Sequence, residues 1–158
     1  MSSDRGTGVI YGILAFKFNM NEKLRRLGIK LPLLPTTSVG SFPKPEYLVK
    51  GRSDRAAGRI SPAELAGMEH QATEFWIRQQ EELGVDVLVD GEMSRGDMVA
   101  HFANRITGFE EGGLVRSYGN RYYRKPIITS AVRWNEEITV EDWKHAQSLT
   151  TKPVKGML

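Results

Sequence analysis

The chain has 158 residues, enough for one ordinary domain, and 40% hydrophobic with 26% charged residues is a folding composition, which argues against a disordered chain. A net charge of +3, with an isoelectric point near 9.2, is too mild to argue for nucleic acid and suits an anionic ligand equally well. With no cysteine, neither a disulfide nor a thiolate metal site can form within the chain, and a reducing cytoplasm is compatible with it.

The run from Gly8 to Phe18 is apolar but too short to cross a bilayer, which takes about 20 residues. No small-residue cleavage site follows it, and no membrane association is expected. Met20 opens a helix-like segment. Two readings of the start stand side by side: residues 1–30 are an extension whose portion before Met20 is not native, or they form a true arm packed on the domain. Pro32 and Pro35 end this lead-in. Thr36 to Val39, rich in β-branched residues, predicts a short strand, broken at Gly40-Ser41-Phe42-Pro43. Lys44 to Ile60 is polar and reads as a connecting loop with room for a short helix.

Ser61-Pro62-Ala63-Glu64 predicts a helix start, with Ser61 as cap, Pro62 at the first position and Glu64 closing a capping box. Leu65, Met68, Ala72, Phe75, Trp76 and Leu83 follow at helical spacing, and Gly84 ends the helix. Val85 to Val89 is a mostly apolar run, as a buried parallel strand requires, and Asp90-Gly91-Glu92 stands at its C-terminal end. Asp97 to Arg105 predicts a second helix with Met98, Phe102 and Ile106 on one face. Gly108 to Lys125 has four glycines and no clean period, so it is expected to be a long loop. Pro126 to Val132 is a third strand candidate. Thr139 with Asp142 starts another helix running to about Leu149. Val154 to Leu158 reads as a fourth strand.

Strands alternating with helices predict an α/β fold with a parallel sheet. About four βα units amount to the first half of a TIM (β/α)8 barrel, which takes about 250 residues when complete. The expectation is that residues 31–158 form the N-terminal part of such a barrel and that the chain stops inside the domain. The last strand then exposes apolar faces and an open edge, which calls for a partner chain completing the barrel or for self-association.

Active sites of such barrels lie at the C-terminal ends of the strands, and three segments fall there. Val39-Gly40-Ser41 offers backbone N–H groups for a carboxylate, although on spacing alone it is a plain turn. Asp90-Gly91-Glu92, with Arg95 close by, suits an ammonium or a cation; helix capping by Ser94 or Asp97 with a surface salt bridge explains it equally. Arg116 to Lys125 interleaves tyrosines with arginines. That arrangement fits a flat heterocycle with an anionic tail, single-stranded nucleic acid, or a solvated basic loop. His70, His101 and His145 are the only histidines. None is spaced to form a local metal pair, and their place on helices favours a structural role. Phe75, Trp76 and Trp143 read as packing residues.

Four blocks in order closely resemble the catalytic domain of cobalamin-independent methionine synthases: Leu34 to Pro43, Glu82 to Glu92 with Asp97-Met98-Val99, Val115 to Arg121, and Ala146 to Thr150 with Lys152 to Leu158. The resemblance implies a TIM barrel that transfers a methyl group to the thiol of homocysteine, giving methionine, from a methyltetrahydrofolate or, in some short forms, from a methylcorrinoid protein. It implies zinc as cofactor, with the family's His, Cys and Glu ligands beyond the last residue, so that no residue of this chain is assigned to metal. By position, Val39, Gly40, Ser41 and Glu92 correspond to homocysteine-binding residues, and Arg121 and Tyr122 to folate-binding ones. The position of Tyr122 is not aromatic throughout the family. There is no room for the second, N-terminal barrel of the long forms. The match is therefore to the short, single-barrel form, cytoplasmic, with no nucleic acid as partner and with little or no activity of this chain alone.

Overall fold

A computed structural model describes residues 22–116, 119 and 122–156. The run from Gly8 to Phe18 and the start at Met20 lie outside the described residues, as does Arg121. The chain divides into two compact units, residues 1–36 and 37–158.

In the first unit, residues 22–26 form a helical turn. Gly28 ends it at φ +76, where its N–H reaches Arg25 O and that of Ile29 reaches Leu24 O. The left-handed conformation that only glycine adopts without cost makes this stop possible.

The second unit contains helices α1 (Glu46–Ala56), α2 (Pro62–Glu82), α3 (Met98–Ala103) and α4 (Val140–Ser148), and strands β1 (Ile106–Arg116) and β2 (Tyr122–Trp134). Its centre is a set of three short parallel segments, joined by the bridges Thr37 to Val87 and Leu88 to Val154. Leu88 N–H donates to Pro153 O, and Lys155 N–H to Leu88 O, both at 2.9 Å. So short a ladder leaves backbone groups to be satisfied otherwise. Side chains of the flanking helices do this. The Gln80 amide donates to Val89 O (2.8 Å) and accepts from Val89 N–H (3.0 Å). Gln147 accepts from Val154 N–H at 3.0 Å, and Trp143 Nε1 donates to Val154 O at 2.9 Å.

The helix ends follow from local sequence. Ser61 Oγ accepts from Glu64 N–H, and Glu64 Oε2 accepts from Ser61 N–H, the reciprocal box expected. At the other end of α2, Gly84 sits at φ +75, with hydrogen bonds from Gly84 to Glu81 O and from Val85 to Gln80 O. This is the double closure of a Schellman motif. Asp97 caps α3 by accepting from Ala100 N–H at 2.8 Å. Thr139 occupies the N-cap of α4 without a side-chain cap bond. α1 fills 11 residues of what reads from sequence as mainly loop.

Two apolar clusters hold the unit together. Ile77, Leu88, Ala146 and Val154 form one, with Val85 and Leu149 against it. Leu48, Ala72 and Met93 form the other, with Phe42, Leu65, Met68 and Trp76. Burying a side chain such as Ile77 or Leu88 contributes roughly 1.5–3 kcal/mol. α2 serves both clusters, through Ile77 on one face and Ala72 on the other. Phe75, expected to pack, is half exposed and meets Trp76 edge-on at 5.1 Å.

Two expectations are corrected. Gly108 to Lys125 is not a long loop, because β1 fills most of its first half and β2 begins at Tyr122. Pro126 to Val132 is not a third parallel strand but part of β2, paired antiparallel with β1. The described parallel segments therefore number three, at Thr37, Val87–Leu88 and Val154, and not four. The base of the hairpin packs near α3. Met98, Val99, Phe102, Ala103, Ile106, Phe109 and Pro126 line an open apolar groove of about 390 Å³ there.

Candidate functional site

The loops that follow the first two parallel segments lie side by side. Phe42 N–H donates to Gly91 O at 3.1 Å. The Phe42 ring lies over the backbone of Gly91 so closely that a Cβ there would stand 2.8 Å from Phe42 Cδ2. Gly91 also needs φ +70. Phe42 is itself held by Trp76, with ring centroids 4.9 Å apart, and Trp76 Nε1 donates to Pro43 O. Behind the first loop, Lys155 Nζ donates to Ser38 O at 2.8 Å. Val39, Gly40 and Ser41 thus sit on a backbone fixed from both sides. Val39 and Ser41 are exposed, and Gly40 adopts φ +88.

The second loop carries Glu92 at φ +60, the one described non-glycine residue with positive φ. Such a conformation is uncommon for glutamate and costs of order 1 kcal/mol or more. Its N–H donates to Asp90 Oδ1 (3.0 Å), and its carbonyl accepts from Arg95 N–H (3.1 Å) and Lys44 Nζ (2.7 Å). The Glu92 carboxylate stands 4.0 Å from Arg95 Nη1. The buried Arg95 guanidinium lies over the Phe102 ring, 5.9 Å from its centroid. Burial raises the Asp90 carboxyl above its ordinary range, opposed by the hydrogen bond from Glu92 N–H and the charge of Arg95.

Lys44, not singled out in the sequence, joins the two loops. Its Nζ donates to Ser41 Oγ (2.6 Å), Glu92 O (2.7 Å) and Gly91 O (3.4 Å). Burial lowers its pKa, with Arg52 acting in the same sense and Glu92 and Asp90 against it. A lysine among prolines in a polar stretch carries no sequence signal for this role.

Behind the second loop is a polar cavity of about 130 Å³, lined by Glu69, His70, Thr73, Asp90, Arg105 and Asp142 among others. His70 of α2 stacks on His145 of α4, with centroids 3.9 Å apart and planes at 18°. Ser94 Oγ donates to Asp142 Oδ2 at 2.8 Å. Burial raises Glu69, against the pull of Arg52, and burial followed by the charge of His70 lowers His145. The meeting of His70 and His145 in space has no signature in sequence spacing.

Tyr122 belongs to a different element. It is the first residue of β2, 62% exposed, in register with Arg116. Further along the hairpin Arg124 pairs with Glu111 at 2.6 Å, so its charge is partly spent within the ribbon. Among the described residues no group of three or more His, Asp or Glu side chains could hold a metal ion. No described helix is long and apolar enough to cross a membrane.

The chemistry available is that of recognition. Two loops present a carboxylate, a hydroxyl and exposed backbone in one place, as a zwitterionic amino acid requires. Comparison with known proteins places the chain in a family. Residues 34–158 match the family described as "Cobalamin-independent synthase, Catalytic domain". A 5-methyltetrahydropteroyltriglutamate–homocysteine methyltransferase of Listeria monocytogenes is 47% identical over 138 residues, covering 86% of this chain and 18% of the relative. The protein of that name from Lactiplantibacillus plantarum is 46% identical over 143 residues, covering 89% and 19%. This chain therefore spans about a fifth of the length of these relatives. A B12-independent methionine synthase from Shewanella sp. W3-18-1, solved in complex with selenomethionine, superimposes with a TM-score of 0.62 at 25% identity. That match covers 78% of this chain and 37% of the other. From Leu34 onward, the chain belongs to the family of cobalamin-independent synthase catalytic domains.

Proposed function

We propose that this chain supplies the substrate-holding part of a methionine synthase, an enzyme that transfers a methyl group to the thiol of homocysteine. The observation that carries this reading is the union of the two loops. Phe42 N–H meets Gly91 O, and Lys44 ties Ser41 to Glu92. In this reading Val39, Gly40 and Ser41 receive the carboxylate of homocysteine through backbone N–H groups and the hydroxyl, and the Glu92 carboxylate receives the ammonium. Arg121 and Tyr122 bind the donor, a methyltetrahydrofolate, as the names of the relatives favour. The aromatic Tyr122 offers a stacking face for a pterin. The described residues do not supply a zinc ligand set. The role proposed for them is confined to binding and orienting substrates, in the cytoplasm.

Parallel segments separated by helices support residues 31–158 as the opening βα units of an eight-fold barrel, with the hairpin as an insertion before the third segment. Titration calorimetry with homocysteine tests the site. Binding is expected, weakened tenfold or more by Glu92→Gln, which removes the charge and keeps the shape. A chain that binds neither homocysteine nor a methylfolate overturns the proposal. Binding of homocysteine without any methylfolate moves the donor to a methylcorrinoid protein.

A further inference from the structure

We infer that Lys44 is the positioning residue that makes this site select an α-carboxylate, acting through Ser41; the inference rests on the homocysteine reading above. An ammonium has three N–H donors and no acceptor. Those of Lys44 face Ser41 Oγ, Glu92 O and Gly91 O, at 2.6, 2.7 and 3.4 Å. Lys44 thus directs its hydrogens to the protein, and its influence on a ligand passes through its neighbours. A hydroxyl has one donor and two acceptor positions. With an ammonium on one lone-pair side, the hydroxyl of exposed Ser41 keeps its proton as its useful function. Its alternative acceptor is the carbonyl of Phe42 at a long 3.4 Å. A serine set as donor beside a fixed positive charge favours an anionic oxygen over a neutral or cationic group. The same ammonium neutralises the carbonyl dipoles of Gly91 and Glu92, which would otherwise repel a carboxylate brought between the loops.

The test uses two probes, homocysteine and 3-aminopropane-1-thiol, which is homocysteine without its carboxylate. The unsubstituted chain is expected to bind homocysteine more tightly than the amine thiol. Lys44→Met, which keeps the aliphatic stem, should cost tenfold or more in homocysteine affinity while changing the amine thiol less than about threefold. Ser41→Ala should reproduce that pattern, and the double variant should lose little beyond either single one, since the two residues act as a unit. Lys44→Gln gives the same comparison, with a smaller loss, should the Met variant not fold. Equal losses for both probes would make Lys44 a brace for the loops and overturn the inference, as would unchanged homocysteine affinity or strictly additive losses. If the unsubstituted chain does not bind homocysteine at all, the homocysteine reading itself fails and the inference falls with it.

Discussion

Acidification from pH 7.5 to 5 is expected to destabilise the chain through His101, and the size of the effect follows from its surroundings. His101 lies in α3, 6% exposed. Arg105 Nη1 stands 3.0 Å from its Nδ1 and, having only hydrogens to give, donates to it. The ring is therefore neutral, with its proton on Nε2, a buried nitrogen with no hydrogen-bond partner. Burial, then the charges of Arg105 and Arg95, lower its pKa to about 4, with only Asp142 acting the other way. In the unfolded chain an ordinary histidine titrates near pH 6.5. Protonation thus favours the unfolded chain. The contribution is fully present above about pH 6.5, is lost as pH falls toward about 4, and is lost no further once the native ring also protonates. At about 1.4 kcal/mol per pH unit, the loss is about 2 kcal/mol by pH 5 and about 3 kcal/mol over the whole window. Urea denaturation followed by circular dichroism, for the native sequence and for His101→Phe at pH 7.5, 6 and 5, isolates this part. His145, lowered in the same sense, contributes to both proteins alike and cancels. So do Glu69 and Asp90, whose raised pKa values stabilise the fold at low pH and lose that effect as pH rises. A stability difference between the two proteins that stays constant within about 0.5 kcal/mol across the range would refute the reasoning.

Gly91→Ala forces a Cβ to within 2.8 Å of Phe42 Cδ2 at φ +70. A loss of about 2 kcal/mol in urea is expected, from left-handed strain plus displacement of the Phe42 ring, with homocysteine binding lost alongside. Ser61→Ala removes one half of the capping box of α2 and should cost about 1 kcal/mol, read as a lower urea midpoint with unchanged slope. Gly108→Ala places a Cβ 2.7 Å from the Ala131 carbonyl oxygen at φ +98. Strand content by circular dichroism should fall while homocysteine binding at the two loops stays within about twofold, the hairpin and the loops being separate elements.

Where local chemistry decides structure, the sequence is readable. The Ser61–Glu64 box, the stop at Gly84 and the cap by Asp97 each use short-range donors and acceptors whose partners are a few residues away. The adjacency of Gly40-Ser41 and Gly91-Glu92 was legible because apolar runs ending in glycine, once parallel, bring their ends to one side. The hairpin was not legible, for a physical reason. A strand shows itself by period-two burial, and β2 is exposed at nearly every position. β1 in addition carries Gly108, Gly112 and Gly113, and its register against β2 shifts twice. With no buried face to mark and glycines at the irregularities, the segment looks like loop. Lys44 escaped notice differently. Its hydrogen bonds go to three acceptors on two loops, two of them backbone carbonyls that no side-chain pattern encodes.

Those two strands stand largely on their own ladder, with burial confined to the end near α3. A two-stranded ribbon with so little of its surface buried is marginally stable by itself. Its amides should therefore exchange with solvent hydrogen through local openings far cheaper than global unfolding, while those of Leu88 and Val154 wait for the whole unit to open. Homocysteine, seated at the loops, would leave exchange along β2 unchanged. A donor seated against Tyr122 would slow it, and part of the donor's binding energy would be spent on closing the ribbon. On the proposed reading the two substrates would meet regions of unequal rigidity in one chain, and the donor would have the weaker apparent affinity for the same quality of contact.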